Sequence, residues 1–227
     1  AEWGRDLIVW PESSIPLFQT DIPEFLQAMD AQAKRSDTAW VTGIPYWDVT
    51  QSKQVGEPLY YNSIMASGYQ SEGLYKKQRL VPFGEYIPLS GLLKWVLPAM
   101  QNDVSMSGFS QGDANQKPLM VKGHALAAAI CYEVAYPNLT RRNATNSDFL
   151  ITVSNDAWFT GTAGPWQHLQ MVQMRAKENG RWFIRTTNTG VTAFSNEQGH
   201  IVKQAPLDQE AVLRGDLPAM QGQTLYN

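Results

Sequence analysis

The sequence predicts a layered α/β sandwich in a single domain, on three observations. Short apolar runs bounded by turn residues recur along the chain, two longer stretches carry helical spacing, and the two kinds of element alternate. A chain of 227 residues with 43% hydrophobic side chains is long enough to bury one sizeable core.

The elements follow in order. Residues 7–10 are an apolar run stopped by Pro11. Residues 23–35 read as a helix, with Phe25, Leu26, Met29 and Ala33 at helical spacing. Residues 39–44 and 61–67 read as strands, and 51–58 between them as a polar loop. Residues 82–118 form a long irregular stretch rich in Gly, Pro, Ser and Met, yet too apolar for an ordinary solvent loop because of Leu89, Leu92, Leu93, Trp95, Val96, Leu97 and Met100. Residues 125–130 and 149–154 read as strands flanking a weaker helix at 136–146. Residues 165–179 are a second clear helix, with Leu169, Val172, Met174 and Ala176 on its apolar side and Gly180 as its C-cap. Strands follow at 183–187, 191–195 and 201–203, the last two joined by a turn at Glu197-Gln198-Gly199.

Composition excludes several functions. Charged residues make up 17% and the net charge is -3, with no basic block for nucleic acid and no acidic arm. One cysteine forms no internal disulfide, which leaves the redox compartment open. His124, His168 and His200 are far apart in sequence, so neither a metal nor another cofactor is expected. No run of 18 apolar residues is present to span a bilayer. The abrupt beginning and end suggest a piece of a longer protein.

Three segments carry candidate chemistry. In Ala127-Ala128-Ala129-Ile130-Cys131-Tyr132-Glu133 a buried strand ends on a cysteine, where a nucleophile would be held rigidly with free backbone N–H groups behind it. A structural thiol is the competing reading. In Leu7-Ile8-Val9-Trp10-Pro11-Glu12 the carboxylate sits where open α/β sheets place their sites, and apolar neighbours would raise its pKa toward that of a base. In Tyr75-Lys76-Lys77-Gln78-Arg79-Leu80-Val81 a lysine is available to stabilise an oxyanion, or simply to solvate a basic strand. No histidine is placed to act as the base of a papain-like dyad.

The order WPE, KxxLVPFGE, ICYE, SNDAWF resembles the nitrilase (carbon-nitrogen hydrolase) superfamily over nearly the whole chain. The resemblance implies an α-β-β-α sandwich and a Glu–Lys–Cys triad. Glu12 would be the general base, Lys77 the oxyanion lysine and Cys131 the nucleophile. Lys77 is preferred to Lys76 because it lies eight residues before Glu85, the family's spacing.

Leu80-Val81-Pro82-Phe83-Gly84-Glu85-Tyr86-Ile87-Pro88, Ser154-Asn155-Asp156-Ala157-Trp158-Phe159, Gly164-Pro165-Trp166-Gln167-His168-Leu169-Gln170-Met171 and Arg185-Thr186-Thr187-Asn188-Thr189-Gly190-Val191 are similar to the apolipoprotein N-acyltransferase family within it. That likeness adds Glu85, Tyr132 and Glu133. The two carboxylates would hold Lys77 and the acyl-accepting site, and the Tyr132 N–H would share the oxyanion.

The implied reaction moves the sn-1 acyl chain of a phospholipid, through a Cys131 thioester, to the α-amine of an S-diacylglyceryl-cysteine on an apolipoprotein. The implied setting is the membrane surface on the periplasmic face of the bacterial inner membrane, with residues 1–227 as the catalytic domain. Family members add about eight transmembrane helices and an earlier core strand, and both are missing from this sequence. Thr160 and Gly161 also follow Phe159 where the family more often has glycine directly.

Leu92, Leu93 and Trp95 suit a lid on the bilayer. Trp166, Gln167 and His168 are candidates for the acyl pocket, with Trp166 read rather as core and His168 as a hydrogen-bonded structural residue. A soluble amidase acting on a small amide and a non-catalytic binding module are the competing readings. The apolar loop speaks against the first and the intact Glu–Lys–Cys set against the second.

Overall fold

The computed structural model describes residues 2–82, 84–86, 108–207 and 209–227. Among them, strands β1 (Leu7–Val9), β2 (Ala39–Trp47), β3 (Tyr60–Gly68), β4 (Ser71–Lys76), β5 (Leu119–Val121), β6 (His124–Ile130), β7 (Phe149–Ser154), β8 (Phe183–Thr187), β9 (Ala193–Ser195) and β10 (Ile201–Gln204) hydrogen-bond to one another in chain order. β1 runs parallel to β2, and β6, β7 and β8 run parallel to each other. The remaining pairs are antiparallel.

β4 is the fold line. Its C-terminal part pairs with β3 through Gly73 to Lys76, while Ser71 and Glu72 pair with β5. The sheet thereby turns back on itself and becomes two facing layers. Side-chain alternation along each strand then sorts the core. Val41, Ile64 and Ala66 from one layer meet Leu126, Ala128, Ile130, Ile151 and Val153 from the other. The intervening residues Ala127, Ala129 and Leu150 point outward onto two helices, α3 (Pro137–Ala144) and α4 (Gly164–Asn179). On the other side Trp40 and Ile44 pack against Leu26, Met29 and Ala33 of α1 (Pro23–Arg35). The order of layers is helix, sheet, sheet, helix. Each fully buried aliphatic side chain in these clusters contributes about 2 kcal/mol of transfer free energy.

Small departures from the sequence reading have local causes. Residues 51–58 are not a loop, because α2 (Val49–Val55) covers most of them. The Asp48 side chain accepts from the Gln51 N–H at 2.9 Å, and Gly56 closes the helix in the left-handed conformation at φ 80. Its polar sequence has no apolar period to reveal it. β4 and β5 were likewise invisible, being half-exposed and three residues long respectively. Phe25 and Met174 lie on the exposed sides of α1 and α4, so the buried stripes shift to their neighbours. Leu92, Leu93 and Trp95 lie outside the described residues.

A candidate active site at the strand ends

Glu12 follows β1, at the end of the sheet where the parallel strands terminate. It is buried, and its backbone lies against β2. A Cβ on Gly43 would stand 2.6 Å from the Glu12 Cα and 2.6 Å from the Pro11 carbonyl oxygen, so only glycine permits this approach. The Glu12 carboxylate accepts from Asn62 Nδ2 at 2.7 Å and from the Asn155 N–H at 2.8 Å, and the Asn188 side chain donates to its backbone carbonyl. Burial raises the Glu12 pKa against the pull of Lys77 and these donors.

Lys77 continues the β4 ladder, its N–H donating to the Asn62 carbonyl at 2.9 Å. Alternation along the strand separates the two lysines. Lys76 turns outward to Asp48 at 2.7 Å and lies over the Tyr61 ring at 4.2 Å. Lys77 turns inward, with only 1% of its side chain exposed, 2.7 Å from Glu85 and 3.8 Å from Glu12. Burial alone would lower its pKa, but the two carboxylates outweigh burial and hold it above the ordinary lysine value. The ammonium therefore keeps its charge. Glu85 is fixed in turn by Asn62 Nδ2 at 2.9 Å and by the Val81 N–H at 2.9 Å. Asn62 thus bridges the two carboxylates, with one amide group donating to both.

Cys131 stands where β6 gives way to the 3-10 turn Cys131–Ala135. Its backbone is left-handed at φ 51, a conformation that costs an L-residue about 1–2 kcal/mol and marks a forced turn. The thiol is buried. Burial pushes its pKa up to about 11, Glu12 pushes the same way, and Lys77 and the Ser154 hydroxyl oppose them. The resting group is the neutral thiol.

Glu133 lies two residues on and is fully buried. One carboxylate oxygen accepts from the Gln78 N–H at 2.6 Å and the Arg79 N–H at 2.9 Å. The other accepts from the Ile130 N–H at 2.7 Å and the Tyr75 hydroxyl at 3.0 Å. Glu133 therefore fastens the end of the lysine strand to the turn that carries the cysteine, without touching Lys77 itself. Burial pushes its pKa up to about 7, against the pull of those backbone donors and Lys77. Tyr132 is exposed and meets Tyr136 edge-on at 5.4 Å.

Beneath Cys131 lies a second group that the sequence reading did not assemble. Asp156 accepts from Arg185 Nη2 at 2.6 Å and from the Ser154 hydroxyl at 2.7 Å, and its Oδ1 is 3.0 Å from His168 Nδ1. A ligand atom of each of Cys131, Asp156 and His168 lies within 4.8 Å of the other two, the spacing of a metal site. The donor set does not fit a cation. Both His168 nitrogens are already engaged, and the guanidinium of the fully buried Arg185 occupies the other side of Asp156.

The structure thus gathers Glu12, Lys77 and Glu85 in direct contact, and brings Cys131 within the electrostatic reach of Glu12 and Lys77. Asn62, Asn155 and Asn188 were missed. An asparagine inside the strand run Tyr61-Asn62-Ser63-Ile64 was the available signal, since strands are poor in Asn. Trp166 is not core, being 43% exposed on the first turn of α4, and Trp158 and Phe159 in the preceding 3-10 turn are exposed as well. A separate cavity of about 710 Å³, lined by Arg141, Arg142, Asp148 and Arg181, opens by the start of β7, away from this chemistry. A buried carboxylate beside a buried ammonium and a neutral thiol suits proton removal, nucleophilic attack on a carbonyl, and support of the resulting oxyanion.

Comparison with known proteins shows the family and the fold. The model of the carbon-nitrogen hydrolase family matches residues 1–225. An apolipoprotein N-acyltransferase of Azotobacter vinelandii is 46% identical over 221 residues, 97% of this chain and 42% of that protein. One of Pseudomonas aeruginosa is likewise 46% identical over 97% of this chain and 42% of its own length. The chain therefore spans less than half the length of these relatives. A crystal structure of a carbon-nitrogen hydrolase from Helicobacter pylori superposes with a TM-score of 0.64 at 17% identity, covering 90% of this chain and 74% of that one.

Proposed function

The chain belongs to the carbon-nitrogen hydrolase family, and on that premise we propose that it is the catalytic domain of a membrane-bound N-acyltransferase. The acyl donor is the sn-1 ester of a phospholipid. The acceptor is the α-amine of an S-diacylglyceryl-cysteine at the N-terminus of an apolipoprotein. The domain works at the membrane surface, on the periplasmic face of the bacterial inner membrane. The observation that carries this reading is the 46% identity over 97% of the chain to proteins named apolipoprotein N-acyltransferase.

The geometry supports a two-step mechanism. Glu12 takes the Cys131 thiol proton as sulfur attacks the ester carbonyl, and its burial-raised pKa suits a base that must later return the proton. Lys77, held charged by Glu12 and Glu85, supports the oxyanion together with the Tyr132 N–H. The C–O bond breaks, Glu12 gives its proton to the leaving lysophospholipid oxygen, and the acyl group stays on sulfur. The acceptor amine then attacks the thioester and loses a proton to Glu12. The C–S bond breaks, the amide leaves, and the thiolate recovers the proton. Ester and amine become alcohol and amide, with no other reactant. Leu92, Leu93 and Trp95 are proposed as a lipid-facing lid, tested by replacing all three with serine. Lipid turnover should fall while thiol reactivity stays, and equal loss of both counts against the lid.

The deciding assay offers a phospholipid with a labelled sn-1 chain and a diacylglyceryl-cysteinyl peptide. Labelled amide that disappears with Cys131→Ala supports the transferase. Ammonia release from small amides without lipid transfer supports the amidase instead. Neither activity leaves a binding module.

A further inference from the structure

His168 is engaged on both sides of its ring and has no part in the proton transfers above. We infer that it is a positioning residue, holding the Cys131 carbonyl so that the following peptide presents its N–H to the oxyanion. This rests on the proposed role of Cys131 as acyl carrier.

The argument begins with backbone geometry. Cys131 adopts φ 51, a left-handed conformation that glycine visits freely but an L-residue such as cysteine rarely does, so the surroundings must impose it. His168 Nε2 lies 2.9 Å from the Cys131 carbonyl oxygen. A carbonyl only accepts, so Nε2 carries the proton whatever the charge on the ring. The peptide linking Cys131 to Tyr132 is planar and trans, so its C=O and N–H point in opposite directions. Fixing the carbonyl toward His168 therefore fixes the Tyr132 N–H away from it. One hydrogen bond sets the direction of an oxyanion donor.

The histidine is itself fixed. Nδ1 lies 3.0 Å from Asp156 Oδ1. Asp156 is clamped by Ser154 and Arg185, and its N–H donates to the Thr189 carbonyl at 3.1 Å. Arg185 Nε donates to the Val191 carbonyl at 3.0 Å. Gly190 closes the other side, at φ 110, where a Cβ would stand 2.3 Å from Asp156 Oδ2. Asp156, His168 and Arg185 are all buried. A chain of donors and acceptors from β7, α4 and β8 thus ends on the one carbonyl that orients the nucleophile's turn, far more organisation than a packing histidine needs.

The test separates orientation from packing. In the full chain, His168→Leu removes the donor, His168→Gln keeps an amide N–H that reaches the place of Nε2, and His168→Asn is too short. Three quantities are read: burst acylation of Cys131 by the phospholipid and by p-nitrophenyl butyrate, alkylation of Cys131 by iodoacetamide, and the melting temperature. Acylation passes through an oxyanion and alkylation does not. We expect His168→Leu and His168→Asn to lose on the order of 100-fold in acylation rate with little change in KM, a loss typical of a misplaced catalytic group. Alkylation should stay within about threefold, and His168→Gln should recover most of the acylation. Should His168→Leu fail to fold, the contrast between the Asn and Gln variants decides. Equal acylation by Asn and Gln variants, or parallel loss of acylation and alkylation, overturns the inference. Wild-type protein acylated by the butyrate ester but not by phospholipid sinks the proposed substrate while leaving the His168 test valid. Wild-type protein that is alkylated but acylated by neither ester overturns both.

Discussion

Glu133→Gln is the substitution whose consequence follows most directly from geometry. The carboxylate accepts from two donors on each oxygen: Gln78 and Arg79 N–H on one, Ile130 N–H and the Tyr75 hydroxyl on the other. Glutamine is nearly isosteric but turns one of those acceptors into an NH2 group. Set with its oxygen toward the Gln78 and Arg79 N–H groups, the amide turns its NH2 to the Ile130 N–H, a donor–donor contact, and to the Tyr75 hydroxyl, which can rotate to accept. At least one hydrogen bond to a charged acceptor is therefore lost, worth about 1.5–3 kcal/mol. Because the variant no longer buries a charge, a net loss of about 2 kcal/mol applies. For a chain of this size that lowers the melting temperature by about 4–8 °C. The pH sign can also be worked out. Burial pushes the folded pKa of Glu133 up to about 7 from the ordinary glutamate value of 4.5, so the group's contribution to stability is complete below about 4.5 and is lost as pH rises through about 7. The wild type's margin over the variant should therefore be wider at pH 5 than at pH 8. Thermal unfolding of both proteins at the two values checks this. A melting temperature within about 2 °C of wild type at both would refute the assigned hydrogen-bond roles.

Other perturbations test other joints. Gly43→Ala forces a Cβ into the Glu12 backbone and should cost about 1–3 kcal/mol, with a larger loss of acylation, read by unfolding and burst kinetics. Lys77→Met leaves Glu12 and Glu85 buried without their cation and should destabilise by about 3–5 kcal/mol, whereas Lys76→Met should cost about 1 kcal/mol or less; comparable losses would mean the two side chains are wrongly assigned. The raised thiol pKa, about 11 against 9.0, leaves roughly 100-fold less thiolate at neutral pH. Iodoacetamide alkylation of Cys131 should then climb about tenfold per pH unit from 7 to beyond 9, and a plateau below about 8.5 would reveal a preformed thiolate instead.

Much of the site was legible because its charges break apolar runs. Glu12 after Leu7-Ile8-Val9-Trp10-Pro11, and Cys131 and Glu133 after a run of alanines, stand out at strand ends. The choice of Lys77 rested on spacing to Glu85, and strand alternation supplies its physical reason, turning one lysine in and its neighbour out. Asn62, Asn155 and Asn188 stayed hidden because their partner Glu12 comes from a distant part of the chain, and only sheet closure joins them. His168, Asp156 and Arg185 appeared within recognised motifs, but no one-dimensional pattern shows that they meet under Cys131. The helix at Val49–Val55 was lost for a different reason: a short polar helix held by its caps leaves no apolar period.

The central claim, that Cys131 carries the acyl group, is most directly tested by intact-protein mass spectrometry after brief exposure to a phospholipid without acceptor. The account predicts one added acyl chain per protein, mapped to Cys131, released by hydroxylamine, absent in Cys131→Ala, and discharged by a diacylglyceryl-cysteinyl peptide. Acyl transfer to that peptide with no adduct on Cys131, or undiminished in Cys131→Ala, would contradict it.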